Sequence, residues 1–431
     1  MSKSEFKVMA IIENFKPENW TDAELMRVHF YGPFVKTLLI RGPTLFSMPY
    51  FEQPAGLVDI ILEAPLGGLI YQYLKSHDIF PNLHTIWGLG KSPLRFPGLE
   101  WELCLAPTSL RVLEIGPLLP HQNGKKQNPN LFAEAIIEKC PGLEVLDLYS
   151  AEFSTGDIFA DFPLLLGLRE LRVVSPLVNS TMLEWASKLP MLQTLEIHTH
   201  RYISLAPPQQ NLKGEIGPFL FNSLLTLKVA WDREDQMGYF LEHCYFPHLV
   251  ELSVKDYFIP LSPRKHSFGS RIAFQSPKIK RIAFETITKS WRVGYRGLIE
   301  WLEKFQRLDL SELHFDINVD YPGPLQMICN HILKYWPRIE RLSWENQAFI
   351  FQDVAETISY LPHLVSLSFR TMRGPWTEPS IQALSHLASA QPLRLRCYFA
   401  DRHNMDADEV ARWLKKIRPN IQYEIYLESY N

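Results

Sequence analysis

The stretch PHLVELSV at residues 247–254 returns almost unchanged as PHLVSLSF at residues 362–369. Both copies follow one pattern, in which Pro, any residue, an apolar residue and two further residues precede two apolar residues separated by a polar one. The same pattern recurs as PGLEVLDL at 141–148, PMLQTLEI at 190–197, PKIKRIAF at 277–284 and PRIERLSW at 337–344. The chain is therefore built from an internal repeat.

The repeat has a period of about 28 residues. The first apolar position of each copy falls at residues 83, 110, 143, 168, 192, 224, 249, 279, 310, 339 and 364. A period of this length, with this L-x-x-L-x-L core, is typical of leucine-rich repeats. Alternation along a short strand places the last two apolar side chains on one face and the intervening polar residues on the other.

Helical periodicity fills the segments between the predicted strands. It is clearest at 131–140, 181–189, 297–305, 325–336, 351–361 and 407–417, and most of these segments stop just before a Pro, which cannot continue a helix. Two segments are assigned differently. QPAGLVDIILEAPLGG (53–68) predicts a helix followed by a turn, and the basic stretch SPRKHSFGSR (262–271) predicts a flexible loop, with a contact site as the alternative.

These signals predict an α/β leucine-rich-repeat solenoid, an open horseshoe with parallel strands on its concave face and helices on its convex face. It should hold about 11–13 irregular repeats. A (β/α)₈ barrel closes after eight units and uses apolar strands, whereas this chain shows more units with half-polar strands. We expect a cap and first degenerate repeat in 1–80, the array in 81–392, and closing repeats in 393–431.

Composition limits the functional classes. A hydrophobic fraction of 46%, a charged fraction of 21% and a net charge of −3 indicate a folded protein without a general attraction to nucleic acid or anionic membrane. Five scattered cysteines without a CxxC pair favour a reducing compartment. The first 20 residues lack the pattern of a signal peptide. We expect a monomer in the cytoplasm, the nucleus or both.

The irregular repeats, the prolines heading the strands and the tryptophan-rich helices together resemble the leucine-rich-repeat region of fungal (basidiomycete-type) F-box proteins. ENWTDAELMRVHFYGPFVKTLLIRG (18–42) is similar to the segment that follows the F-box in that family. The resemblance implies substrate selection for a cullin-based ubiquitin ligase, with the ligase adaptor as a partner in any longer form that carries an F-box. The family's F-box opens with Leu-Pro, and we expect it to be absent from this chain.

Catalytic, nucleotide and metal motifs are not predicted. GLGKS (88–92) lacks the first Gly of a phosphate-binding loop, which stands five positions before the final Gly, because that position is Thr85. His198 and His200 lie on one side of an extended segment, but no Cys or carboxylate at metal spacing completes a site. The chain is therefore interpreted as a non-enzymatic protein without a cofactor.

Charged residues occupy the polar positions of the predicted strands. The carboxylates are Glu114, Asp147, Glu170, Glu196, Glu251, Glu285, Glu312, Asp316 and Glu345, and the cations are Arg172, Lys228, Lys255, Arg281, Arg341 and Arg370. This mixture suits a protein partner better than a phosphate backbone. A solvated face with cross-strand ion pairs is an equally consistent interpretation.

Large aromatic residues follow several strands, and loops along one edge of a solenoid are where binding insertions collect. The predicted contact set is Arg172, Lys228, Trp231, Lys255, Tyr257, Arg281, Trp291, Asp316, Arg341, Arg370 and Trp376. The resulting hypothesis is a recognition protein that binds a protein partner through its concave face and this loop edge. The alternatives are a small-molecule sensor, with its ligand between the strands and an aromatic loop, and a non-catalytic scaffold.

Overall fold

The computed structural model describes residues 10–12, 33, 36–41, 60–62, 80–89, 107–114, 136, 139–148, 159–160, 162–174, 178–198, 218–231, 240, 242–256, 266–286, 292–320, 325–378, 392–399 and 407–427. Contacts between backbone segments divide the chain into two compact units, Met1–Ser223 and Leu224–Asn431. Each unit is described by itself.

The first unit contains a parallel ladder of eight strands in the order β1-β3-β2-β4-β5-β6-β7-β8. The helix α1 spans Ser180–Ser187, and Asn179 caps it by accepting a hydrogen bond from the backbone N–H of Met182. The strands of this unit are β1 (Ala10–Ile12), β2 (Thr37–Arg41), β3 (Ile60–Leu62), β4 (Thr85–Leu89), β5 (Val112–Glu114), β6 (Val145–Asp147), β7 (Glu170–Val174), β8 (Thr194–His198) and the short β9 (Phe219–Leu220).

The second unit repeats this design. Its strands are β10 (Thr226–Trp231), β11 (Cys244–Tyr245), β12 (Glu251–Asp256), β13 (Arg281–Thr286), β14 (Arg292–Gly294), β15 (Glu312–Asp316), β16 (Asn318–Asp320), β17 (Arg341–Ile350), β18 (Ser366–Arg373), β19 (Leu393–Phe399) and β20 (Ile421–Leu427). Eight of them form a parallel ladder in the order β10-β12-β13-β15-β17-β18-β19-β20, and β14 pairs separately with β16.

Five helices of the second unit lie within the described residues. They are α2 (His266–Gln275), α3 (Tyr295–Glu303), α4 (Leu325–Tyr335), α5 (Phe351–Tyr360) and α6 (Ala407–Ile417). A helix lies between successive ladder strands from β12 to β18 and again between β19 and β20, as a crossover between neighbouring parallel strands requires. Neither ladder closes on itself, since β1 and β20 each pair on one side only among the described strands. The predicted open α/β leucine-rich-repeat fold is confirmed and the closed barrel is excluded.

A proline-headed turn joins most of the described helices to the next strand, the exception being α3, whose turn carries Gln306 at that position. In the turn 140–143, the carbonyl of Cys140 accepts a hydrogen bond from the N–H of Leu143, with Pro141 in the second position that favours proline. The N–H of Cys140 in turn donates to the carbonyl of Ile136, so one residue closes both the helix and the turn. This double role places the residue before each proline inside the protein. It is buried in the turns at Phe80, Cys140, Leu189, Phe246, Ser276, Trp336, Leu361 and Arg418.

The core lies on one face of each ladder, where the helices pack. Every first apolar position of the predicted repeat is buried: Leu83, Leu110, Leu143, Leu168, Leu192, Leu224, Leu249, Ile279, Leu310, Ile339 and Leu364. In the second unit, the ring of Phe284 on β13 contacts Trp301 of α3 and Phe305 just beyond that helix. Each fully buried side chain of this kind contributes roughly 1.5–3 kcal/mol. The repeated apolar residues therefore form a continuous core in each unit.

Arg418 is the charged residue among the buried residues that precede a proline in the described turns. Its side chain donates to the carbonyls of Pro362 at 2.9 Å and Leu364 at 2.7 Å, which belong to the turn that opens β18. In the first unit, Ser109 Oγ donates to the same two positions of an earlier turn, the carbonyls of Pro81 and Leu83. Arg418 therefore ties the closing repeat to a turn 54 residues earlier.

Two sequence interpretations are corrected by the structure. Residues 60–62 form the strand β3 between β1 and β2, where a helix was predicted. Residues 266–275 form the helix α2, where a loop was predicted. Gly269 is buried in α2, and a Cβ built there would lie 2.7 Å from the Cβ of Lys304. The absence of a side chain at Gly269 therefore lets α2 approach the end of α3.

Candidate functional site

The candidate site is the open face of the sheet, which is the face opposite the helices. Parallel pairing without offset aligns the polar positions of successive strands into rows. One row of the second unit runs Thr226, Glu251, Arg281, Glu312, Arg341, Ser366, Arg394 and Gln422, one residue from each ladder strand. The strands lie about 4.8 Å apart, so charged side chains in one row reach their neighbours.

A cluster of carboxylates surrounds Arg172 on the open face of the first unit. The guanidinium reaches Asp147 at 3.2 Å, Glu170 at 2.6 Å and Glu196 at 3.5 Å. His198 Nε2 lies 2.7 Å from the same Glu196 carboxylate. One arginine thus binds three carboxylates that come from three neighbouring strands.

Glu114 of β5 lies beside Asp147 of β6, and its carboxyl group has an altered pKa. Burial, with a further contribution from the negative charge of Asp147, raises the pKa of Glu114 to about 7. The positive charge of Arg172 lowers that pKa but does not outweigh the first two causes. Among the described residues around Arg172, carboxylates therefore outnumber cations, and Glu114 adds negative charge as the pH rises through neutrality.

In the middle of the second unit, acidic and basic side chains alternate from one strand to the next. Arg281 lies between Glu251 at 3.3 Å and Glu312 at 3.5 Å, and Glu312 also binds Arg341 at 3.1 Å. In a parallel row, Lys255 pairs with the neighbouring strand's Glu285 at 2.8 Å. Cross-strand ion pairs, one of the two interpretations of these residues, are thus present. Pairs this exposed add roughly 0–1 kcal/mol each to the stability of the fold. Their main effect is to hold the charged side chains in position on the open face.

Of the predicted contact residues, most lie on this face. Arg172, Lys228, Lys255, Arg281, Asp316 and Arg341 occupy open-face positions, and Arg370 is exposed on β18. Trp376 is half-buried, with its ring 5.9 Å from that of Phe351, so part of it belongs to the core. Trp231 ends β10, but its side chain lies outside the described residues, as do Tyr257 and Trp291 entirely.

Sequence reasoning missed the charged end of the second unit. Arg394 and Arg396 on β19 point to the open face and both donate to the Glu424 carboxylate on β20. The alternating stretch LRLRCYF (393–399) carried the signal. The prediction of closing repeats for 393–431 does not include these arginines among the contact residues.

The described cysteines and histidines are poorly placed for nucleophilic or metal chemistry. Burial raises the pKa of the Cys140, Cys329 and Cys397 thiols to about 12, so these thiols stay protonated at neutral pH. In the described part of the chain, no group of three His, Cys, Asp or Glu residues has metal-binding geometry. His198 pairs with Glu196, and His200 lies outside the described residues.

The core of the second unit contains a small cavity. A cavity of about 10 Å³ between α5, β17 and β18 has room for about one water molecule and is lined mainly by apolar side chains such as Trp344 and Phe349. The cavity is a small packing gap in the core.

Across the helices that the structure describes, none combines the length and apolar character of a membrane span.

Two solved structures are among those that comparison with known proteins finds similar to this chain. No protein-family model and no curated protein matches the chain. A chain of the TLR13–ssRNA13 complex is 12% identical over 82% of this chain, with a TM-score of 0.36, and this chain covers 54% of it. The leucine-rich repeat-containing protein LegL7 from Legionella pneumophila is 15% identical over 70% of this chain and 87% of its own length, also with a TM-score of 0.36.

The fold is established by the chain's own geometry. One short strand per repeat recurs in the described residues of both units, and a proline-headed turn precedes most of the ladder strands after residue 80. The described helices between strands are α1 in the first unit and α2 to α6 in the second. Each of the two units is a stack of leucine-rich repeats.

Proposed function

We propose that this chain is a non-catalytic recognition protein that binds a protein partner across the open face of its sheet. The observation that carries the proposal is the long row of the second unit, in which polar side chains from eight successive strands line up on one exposed surface. Rigid strands hold these side chains in place before binding, which lowers the entropic cost of association.

The charge pattern supports a protein as the partner. Acidic and basic side chains alternate along the row, and Arg281 and Arg341 remain half exposed or more while paired, at 50% and 61% of their side-chain surface. A phosphate backbone requires a stretch of one sign, whereas protein interfaces use complementary charges of both signs for orientation and on-rate.

Site-specific photo-crosslinking tests this proposal. A photoreactive residue placed at Lys228 or Arg341, both on the open face, should give covalent protein adducts in extract from the source organism. The matched controls are Glu300 on α3 and Asn330 on α4, which are exposed on helices. Adducts from the helix positions alone would show that the partner uses the opposite face.

The ubiquitin-ligase role implied by the sequence resemblance stays a prediction. It requires that the chain, or a longer form of it, binds the ligase adaptor. Co-purification with the adaptor measures this directly. The crosslinking result and the adaptor result are independent, because a substrate would contact the repeats while the adaptor binds an F-box.

A further inference from the structure

Charge is distributed unevenly along the open face of the second unit. From β10 to β17 the described side chains are balanced, with four cations, Lys228, Lys255, Arg281 and Arg341, against four carboxylates, Glu251, Glu285, Glu312 and Asp316. From β18 to β20 the described side chains include four exposed arginines, two on β18 and two on β19, against one carboxylate, Glu424. These arginines, named here the arginine patch, are Arg370, Arg373, Arg394 and Arg396.

Two members of the arginine patch already bind a carboxylate. Glu424 Oε1 accepts from Arg394, and Glu424 Oε2 accepts from both Nε and a terminal nitrogen of Arg396 at 3.2 Å. The two guanidiniums hold the pKa of Glu424 below its ordinary value, the hydrogen bond from Arg394 being the largest cause. One carboxylate is therefore shared between two arginines that remain 55% and 54% exposed.

The other two members of the arginine patch can each bind a further carboxylate. Arg370 and Arg373 are exposed and make no ion pair with any carboxylate in the described part of the chain. Arg370 lies where the register of β18 shifts between Ser368 and Thr371, and such bulges redirect side chains and occur often beside binding sites. The local excess of positive charge is thus built on rigid strands.

The spacing of the patch matches an extended acidic segment. Arg394 and Arg396 are two residues apart on one strand, which corresponds to about 6.7 Å. Carboxylates at alternate positions of an extended peptide repeat at the same distance. The guanidinium fork binds carboxylate oxygens in pairs, as the contacts to Glu424 illustrate.

We propose that the arginine patch binds an acidic, extended segment of the protein partner. This inference rests on the proposed function and specifies the chemistry of one part of the partner. A protein segment is favoured over nucleic acid because the excess charge is confined to the patch. The adjoining rows from β10 to β17 are balanced, and the whole chain carries a net charge of −3, whereas a long polyanion requires an extended cationic track.

The test measures binding of a short fluorescein-labelled peptide, in which Glu alternates with Ser, by fluorescence anisotropy. The variant Arg370→Gln with Arg373→Gln should weaken the complex about tenfold, and added salt should weaken the wild-type complex as well. The matched control is Arg338→Gln with Arg412→Gln, which removes the same charge from an exposed turn and from the exposed side of α6. This control should bind as the wild type does.

Three outcomes would overturn the inference. The first is no binding of the peptide to the wild-type chain, and the second is an equal loss in both double variants. The third is tighter binding of a single-stranded RNA of equal charge that is lost in the patch variant, which would assign the patch to nucleic acid. Crosslinking from Lys228 or Arg341 together with a negative peptide result would refute this inference alone. Absence of those crosslinks would refute the proposed function.

Discussion

Replacing Arg418 with Leu tests how the closing repeat is held to the rest of the second unit. Leucine is the residue that precedes the proline in the turns at Leu189 and Leu361, so it fits the buried position. The substitution removes the bonds to the carbonyls of Pro362 and Leu364, at 2.9 and 2.7 Å, and a longer one of 3.4 Å to Leu361.

The expected cost follows from two opposing effects. Hydrogen bonds to a charged group contribute about 1.5–3 kcal/mol each, which gives about 3–6 kcal/mol for the two short ones. The leucine variant no longer desolvates a guanidinium, and Nε of Arg418 makes no hydrogen bond that would offset its burial. We therefore expect a net local destabilisation of about 2–4 kcal/mol.

Hydrogen exchange measured by mass spectrometry is the suitable assay, because two units need not unfold in one step. Peptides covering 364–369 and 421–427 should exchange about 30- to 1000-fold faster in Arg418→Leu than in the wild type. The exchange rate of Arg418→Lys should lie between those of the wild type and Arg418→Leu, because an ammonium group can replace part of the hydrogen bonding. Arg412→Leu, on the exposed side of α6, is the control and should change little. Unchanged or slower exchange in Arg418→Leu would refute the argument, because burial alone would then hold the turn.

Proton affinity, close packing and thiol burial give three further expectations. The pKa of Glu114, about 7 when folded, exceeds the ordinary 4.5, so the folded state binds more protons between these values and stability falls as pH rises through that window. Glu114→Gln should abolish this fall in urea midpoints at pH 5 and 8, and equal falls would contradict it. Gly269→Ala should lower the melting temperature despite alanine's helix propensity of about 1 kcal/mol, because its Cβ would clash with Lys304; a higher temperature would contradict this. Cys104 lies outside the described residues, so it is replaced with Ser in the third test. The other four cysteines are buried and should react with Ellman's reagent only after denaturation, and prompt reaction would contradict their burial.

The repeat itself was predictable because its signals are local. A proline that ends a helix, a turn closed three residues later and the alternation of a short strand all depend on neighbouring residues. PHLVELSV and PHLVSLSF accordingly fill equivalent slices of the core with Leu249, Leu252 and Val254 in one, and Leu364, Leu367 and Phe369 in the other.

The missed elements depend on distant contacts. Ile60–Leu62 is a short apolar run, and such runs fit a strand and a buried helix equally well until a neighbouring strand pairs with them. The helix His266–Gln275 has little apolar periodicity, and its Phe274 is 74% exposed. Its packing against α3 depends on Gly269, which a sequence pattern treats as a loop signal.

The sequence by itself determined that a short strand follows each first apolar position, and that acidic and basic residues occupy the other face. Only the tertiary structure decided which charges meet. The register between strands places Arg281 between two glutamates, adds Asp147 and Glu196 to the pair that Arg172 forms with Glu170 of its own strand, and leaves the described arginines of β18 and β19 with a single Glu424. The reason is physical: alternation within a strand is encoded every second residue, whereas a charge is balanced by partners about 25 to 30 residues away, across a gap of about 4.8 Å.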